Sequence, residues 1–222
     1  MKKIVVLTGA GISAESGIST FRDANGLWEN HDIMEVASIE GWNNNPELVL
    51  DFYNKRRKQL KEVEPNSAHY YLKELEDKFE VVIITQNVDD LHERANSKNI
   101  IHLHGELNKV RTVTNTKQLF NWEDDLFLGD LGPDNYQLRP HIVWFGEDVP
   151  MMDIAIDEVT TADILIIIGT SLQVYPAASL IDYVPQDAKI ICIDPNDTIL
   201  KSNIIHIKKT ATAGVKELDK LF

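Results

Sequence analysis

Four stretches of this chain put polar or glycine residues directly after short apolar runs. The first, Gly9-x-Gly11-x-x-Ala14, follows residues 4–7 and has the spacing of a dinucleotide-binding turn opening a helix. Such glycines let the backbone turn tightly and bring its N–H groups to a pyrophosphate; the same stretch also fits a glycine-rich turn that binds nothing. The acidic residue that usually follows about twenty positions on is missing. Asp194, after residues 189–193, could reach a ribose hydroxyl from another strand end. The second stretch is Gln86-Asn87-Val88-Asp89-Asp90, the third His104-Gly105-Glu106 and the fourth Gly169-Thr170-Ser171. His104 has the chemistry of a general base, because imidazole titrates near neutral pH; as one of seven histidines it could equally bond a loop carbonyl. Each stretch alone fits a cap or a satisfied turn. Four at strand exits make the pattern of an α/β active site.

The elements that would carry them are five β-branched runs, at residues 4–7, 81–85, 100–103, 164–168 and 190–193. Nearly continuous apolar character, without alternation, predicts strands buried on both faces of a parallel sheet. Helical spacing appears at 46–62, with Asn45 as a cap before Pro46, at 67–79 and at 211–222. The expected fold is α/β, a doubly wound parallel sheet of Rossmann-like type with a small inserted module, in a single domain over 1–222. Residues 21–45 read as a long functional loop within a small-module segment around 21–70, and residues 109–137 as an insert.

The 222 residues carry 22 basic and 35 acidic side chains, a net charge of −13 that repels nucleic acid and anionic lipid. Cys192 is the only cysteine, which rules out an intramolecular disulfide and a cysteine-built zinc site. The apolar runs are strand-sized and the N-terminal one is too short for a signal peptide. The expectation is a soluble, cytoplasmic monomer with no nucleic-acid or membrane partner.

Gly9 to Arg22, Gln86-Asn87-Val88-Asp89, His102-Leu103-His104-Gly105, Arg139-Pro140-His141-Ile142-Val143-Trp144-Phe145-Gly146-Glu147 and Gly169-Thr170-Ser171 occur in one order across nearly the whole chain. Together they resemble the sirtuins, NAD-dependent protein lysine deacylases, and most closely the bacterial and mitochondrial class that removes acidic acyl groups. The resemblance implies NAD as a consumed cosubstrate and acylated-lysine proteins or peptides as partners. It assigns catalysis to His104 as base, with Asn87 and Asp89. It assigns NAD binding to Gly9, Ala10, Gly11, Ala14, Glu15, Thr20, Phe21, Arg22 and Trp28, to Gln86, Asn87, Val88 and Asp89, to Gly169, Thr170, Ser171 and Val174, and to Asp194, Pro195, Asn196 and Ala211. Val143, Phe145, Gly146 and Glu147 fall where a substrate peptide would pair as an extra strand. In the implied chemistry the acyl oxygen attacks the ribose carbon as nicotinamide leaves, with water excluded.

Two features are specific to this chain. Most sirtuins carry two Cys-x-x-Cys pairs for a structural zinc; here Thr112 and Asn115 stand where the first pair would be, so no zinc is expected and Leu119, Phe120, Trp122, Leu126 and Phe127 would hold the insert by packing. Tyr53 and Arg56, at i and i+3, share a helix face. From spacing alone this is a solvated basic face. The resemblance instead implies the carboxylate-binding pair of desuccinylases, with Ala37 as the small residue that widens the pocket. A sirtuin-like protein ADP-ribosyltransferase, or an NAD-sensing module, is the alternative.

Overall fold

The computed structural model describes residues 1–19, 31–196 and 203–222, and the backbone of 27–28. Strand β1 (Lys3–Thr8) is followed by two 3₁₀ turns, Ala10–Ile12 and Ala14–Ser16, then by the paired strands β2 (Leu27–Trp28) and β3 (His31–Asp32). Helices α1 (Ile33–Val36), α2 (Ile39–Asn44), α3 (Pro46–Leu60) and α4 (Ser67–Leu75) lead to β4 (Glu80–Thr85). After α5 (Leu91–Arg94) and β5 (Ile100–His102) come β6 (Gly105–Thr112), β7 (Phe120–Asn121) and β8 (Leu138–Ile142). The chain ends through α6 (Met152–Thr160), β9 (Ile164–Ile168), β10 (Lys189–Ile193), β11 (Ile204–Ile207) and α7 (Ala211–Gly214).

Six strands form one parallel sheet in the order β11-β10-β9-β1-β4-β5. This is the doubly wound arrangement expected, and its order reverses between β1 and β9, the place where open α/β sheets bind ligands. Alternate residues of each strand serve opposite cores. Ile4, Val6, Ile83, Ile166 and Ile191 pack against Leu72 of α4 and Val215. Val5, Leu7, Ile84, Leu165 and Cys192 pack against Val159 of α6 and Leu180. Burial on both faces explains why the strands read as unbroken apolar runs. It also leaves Cys192 fully buried.

Several expectations need correction. A sixth strand, β11, was missed because Ile-Ile-His-Ile is short and sits at the sheet edge. The segment expected as a helix over 211–222 is one α turn followed by a 3₁₀ helix over Val215–Lys220, which still buries Val215 and Leu218. The helix expected after the first glycines is replaced by two 3₁₀ turns, the second closed by Gly17 at φ +101°. Where residues 31–45 are concerned, the expected loop is β3, α1 and α2. Asp32 caps α1 by accepting from Met34 N, and Ser38 caps α2 by accepting from Gly41 N.

The antiparallel sheet β7-β6-β8 extends beyond residues 109–137 on both sides. Leu126 is buried against Leu50, Val110 and Leu138, with Phe120 and Trp122 beside them, but Leu119 and Phe127 are exposed and take no part. Polar side chains of α3 do much of the fastening. Asn54 bonds both N and O of Leu126, and the buried Arg57 donates to Leu107 O, Asp124 O and Asn54 Oδ1. At the far end, Thr112 Oγ1 and Thr114 Oγ1 donate to Asp134 Oδ2 at 2.8 and 3.0 Å, Tyr136 N donates to Asp134 Oδ1, and Asn115 Oδ1 accepts from Lys117 N and Gln118 N. These bonds pull the Asp134 carboxyl below the usual range, against the burial that would raise it. A carboxylate tie therefore occupies the position at which the resemblance placed the first cysteine pair. We expect chelator to leave the melting temperature unchanged and Asp134→Ala to lower it; differential scanning calorimetry with and without EDTA checks both, and a chelator-induced drop would reveal a metal.

Candidate active site

The two loops at the switch point interlock. Gly9 N donates to Ile168 O and Gly11 N to Gly169 O. A Cβ on Gly11 would lie 2.6 Å from Gly169 Cα, and one on Gly169 2.5 Å from Gly11 Cα, so only glycines allow this approach. The glycines expected to cradle a phosphate thus also have a packing reason to be there.

Around this crossing lie polar groups from four strand exits. Gln86 Nε2 donates to Thr170 Oγ1 at 3.1 Å, joining the β4 and β9 exits. Asn87 Nδ2 donates to Gly9 O at 3.2 Å and to Ser13 Oγ at 3.1 Å, and Ser13 Oγ donates to Asp89 Oδ2 at 3.0 Å. Asp89 also accepts from Leu91 N. Burial pushes the Asp89 carboxyl up to about 6, although these bonds oppose the shift. Ser13 is a member of this network that the sequence reading did not assign; its place four residues after Gly9 was the available signal.

His104 stands beside this set, half-buried in the turn between β5 and β6. Its Nδ1 is 3.0 Å from Gln86 O. A carbonyl only accepts, so Nδ1 carries the proton and Nε2 keeps its lone pair. Burial lowers the pKa of the ring, partly offset by the Gln86 bond, so the neutral form prevails at neutral pH. This is the protonation state a general base requires. Gly105, which follows, has φ +84°, and any Cβ there would run into His141 O. The His-Gly pair is therefore fixed by backbone geometry as well as by chemistry.

The segment after β8 runs alongside. Val143 N donates to His104 O at 2.9 Å and Phe145 N to Ala37 O at 2.8 Å, and Ser38 bridges to Phe145. Gly146, at φ +90°, faces open space. Glu147 is engaged internally: its oxygens accept from Arg139 at 2.7 and 2.9 Å, from Arg111 at 3.1 Å and from Trp144 N at 2.8 Å. Burial works against its charge, but the Arg139 contact outweighs this and keeps the carboxylate ionised. The Arg139 guanidinium lies 3.3 Å over the Trp144 ring, and Trp144 Nε1 donates to the buried Tyr53 hydroxyl at 3.0 Å. Burial raises the Tyr53 pKa, so the phenol stays protonated. Ala37 packs in the same cluster as Tyr53 and Trp144. Arg56 is half-buried one turn along α3, with its Cζ 5.4 Å from the Phe52 ring centroid.

The remaining assigned residues spread along the same edge. Glu15 accepts from Thr212 N and Oγ1, tying the first loop to α7 beside the buried Ala211. Asp194 is buried after β10 and accepts from Asn196 N, while Pro195 and Asn196 are exposed. Ala10, Ala14, Val88 and Ser171 are half-buried, and Val174 is exposed. Thr20, Phe21, Arg22 and the side chain of Trp28 lie outside the described residues.

Comparison with known proteins gives one consistent result. The family model described as Sir2 family matches residues 9–176. A Helicobacter pylori protein named NAD-dependent protein deacylase is 60% identical over 220 residues, covering 98% of this chain and 96% of its own length. The solved structure of a mutant Sir2 homologue in complex with ADP-ribose superposes with a TM-score of 0.90 at 41% identity, covering 99% of this chain and 91% of the other. A Sir2 protein bound to acetylated peptide superposes with a TM-score of 0.82 at 30% identity, covering 98% and 92%.

Proposed function

This chain belongs to the Sir2 family, and we propose that within it the enzyme prefers lysines bearing succinyl or malonyl groups, with acetyl-lysine a secondary substrate. It is an NAD-dependent protein deacylase. The observation that carries the acidic preference is the buried Tyr53 hydroxyl, held by the Trp144 indole one helical turn from Arg56. A phenol hydroxyl can donate a hydrogen bond, and a guanidinium can fork onto a carboxylate. An acetyl group offers neither of them a partner.

The polar groups at the strand exits fit NAD: hydroxyls at Thr170 and Ser171 and amides at Gln86 and Asn87 would line it, and the Asp194 carboxylate would accept from ribose hydroxyls. When bound, NAD supplies the ribose carbon that accepts the acyl group and the nicotinamide that leaves. His104 takes a proton at Nε2, because its Nδ1 is committed to Gln86 O. The Gln86-to-Asp89 loop holds the reacting groups in register through Ser13 and Gly9; the N–H groups of Val143, Trp144 and Phe145 are spent inside the chain, so an extended peptide would pair with this segment at the open Gly146. A cytoplasmic, monomeric working state belongs to the same proposal. Among the described residues no helix is long and apolar enough to cross a membrane.

The test is product analysis with NAD and a succinyl-lysine peptide. Deacylation yields nicotinamide, free lysine and acyl-ADP-ribose in equal amounts. ADP-ribose attached to protein, with the peptide still acylated, would instead favour the transferase reading.

A further inference from the structure

Four successive carbonyls from the last residue of β4 onward are held by the neighbouring segment. Leu103 N donates to Thr85 O, His104 Nδ1 to Gln86 O, His102 Nδ1 to Asn87 O and Leu107 N to Val88 O, at 2.9, 3.0, 3.2 and 2.8 Å. His102 differs from His104 at its second nitrogen, because its Nε2 lies 2.7 Å from Glu93 Oε1. Burial would raise the Glu93 pKa, but the His102 bond and charge outweigh it, so Glu93 stays a carboxylate. With an acceptor at each nitrogen, His102 carries both protons and is an imidazolium. It has no lone pair for a base or for a metal.

We propose that His102 is a positioning residue: a fixed cation behind the loop that ties the Asn87 carbonyl in place beside the buried Asp89 carboxylate. The inference rests on the reading of Gln86 to Asp89 as a wall of the active site. Asp89 is 7% exposed and is the end of the chain of bonds that runs through Ser13 to the Asn87 amide. Burial raises its pKa to about 6; the bonds from Leu91 and Ser13 and the charge on His102 pull the other way, while Asp90 adds to the rise. The groups facing His102 are Glu93 from α5, Glu106 from β6, which is itself paired with Lys109 at 2.8 Å, and Asp89 from the loop. His92 of α5 is buried and its pKa is held far down by burial, so it adds no charge. Burial opposes the His102 charge as well, but Glu93, Glu106 and the Asn87 carbonyl outweigh it.

The sign of the consequence is fixed. Removing the cation raises the Asp89 pKa further, so Asp89 takes up a proton at higher pH and its bond from Ser13 loses its charge assistance. His102→Gln keeps an N–H donor and removes the charge. We expect the acid limb of kcat/KM for NAD to move up by about one pH unit, with little change near pH 8.5. A loss of activity that is uniform across pH, or an unmoved acid limb, overturns the proposal. If His102→Gln does not fold, as judged by near-UV circular dichroism, Glu93→Gln replaces it. That variant keeps the acceptor but withdraws the charge that favours the imidazolium, and it must move the limb in the same direction. Failure of the underlying reading looks different: the wild-type enzyme would then release no nicotinamide at any pH.

Discussion

His104→Tyr is expected to lower kcat/KM for deacylation by about 10²–10⁴-fold, the usual cost of losing a general base, while leaving NAD binding largely intact. The expectation rests on tautomer and position together. Nδ1 is fixed as the donor to Gln86 O, burial keeps the ring neutral, and Nε2 is the lone pair left for proton transfer. Tyrosine preserves bulk in the turn but is protonated at neutral pH, so it cannot take a proton there. Binding measured by calorimetry against single-turnover rates separates the two effects. Turnover within about threefold of wild type would be far outside the range for a lost base and would remove His104 from the mechanism.

Much of this site was legible before any geometry. The runs at residues 4–7, 81–85, 100–103, 164–168 and 190–193 fall on β1, β4, β5, β9 and β10, because strands covered on both faces have no polar period to blur them. The polar exits of those strands were legible for the same reason, as abrupt changes of composition. Roles that depend on partners far along the chain were not. Glu147 offered no sequence sign that Arg139, Arg111 and Trp144 N engage its oxygens. Nor did Thr112 and Thr114 show that Asp134, some twenty residues on, would accept from both. The contrast between His102 and His104, two residues apart, is set wholly by Glu93 at the second nitrogen of His102. Local propensity also misjudged the two 3₁₀ turns between Gly9 and Gly17, the first of which packs against Gly169.

The second large effect concerns the acyl group. In Arg56→Met the methionine keeps the length and apolar character of the arginine stem and removes the charged fork. Acetyl-lysine has no distal charge, so its turnover should change little. Succinyl-lysine would leave its carboxylate desolvated without its ionic partner, a loss of about 1.5–3 kcal/mol, or roughly 10- to 150-fold in kcat/KM. Tyr53→Phe should shift the ratio the same way but less, since it deletes only neutral hydrogen bonds, the one from Trp144 Nε1 and the one to the acyl carboxylate, while the Phe52, Trp144 and Ala37 packing remains. Taking the ratio of the two substrates cancels general damage to folding or NAD binding.

That ratio, measured on the wild-type enzyme and on Arg56→Met with matched succinyl- and acetyl-lysine peptides at saturating NAD, tests the central claim most directly. The account predicts a wild-type ratio of succinyl to acetyl kcat/KM above one, and a fall of at least about tenfold in the variant. A wild-type ratio at or below one that Arg56→Met leaves unchanged would contradict it, and would remove Arg56 from recognition of the acyl group.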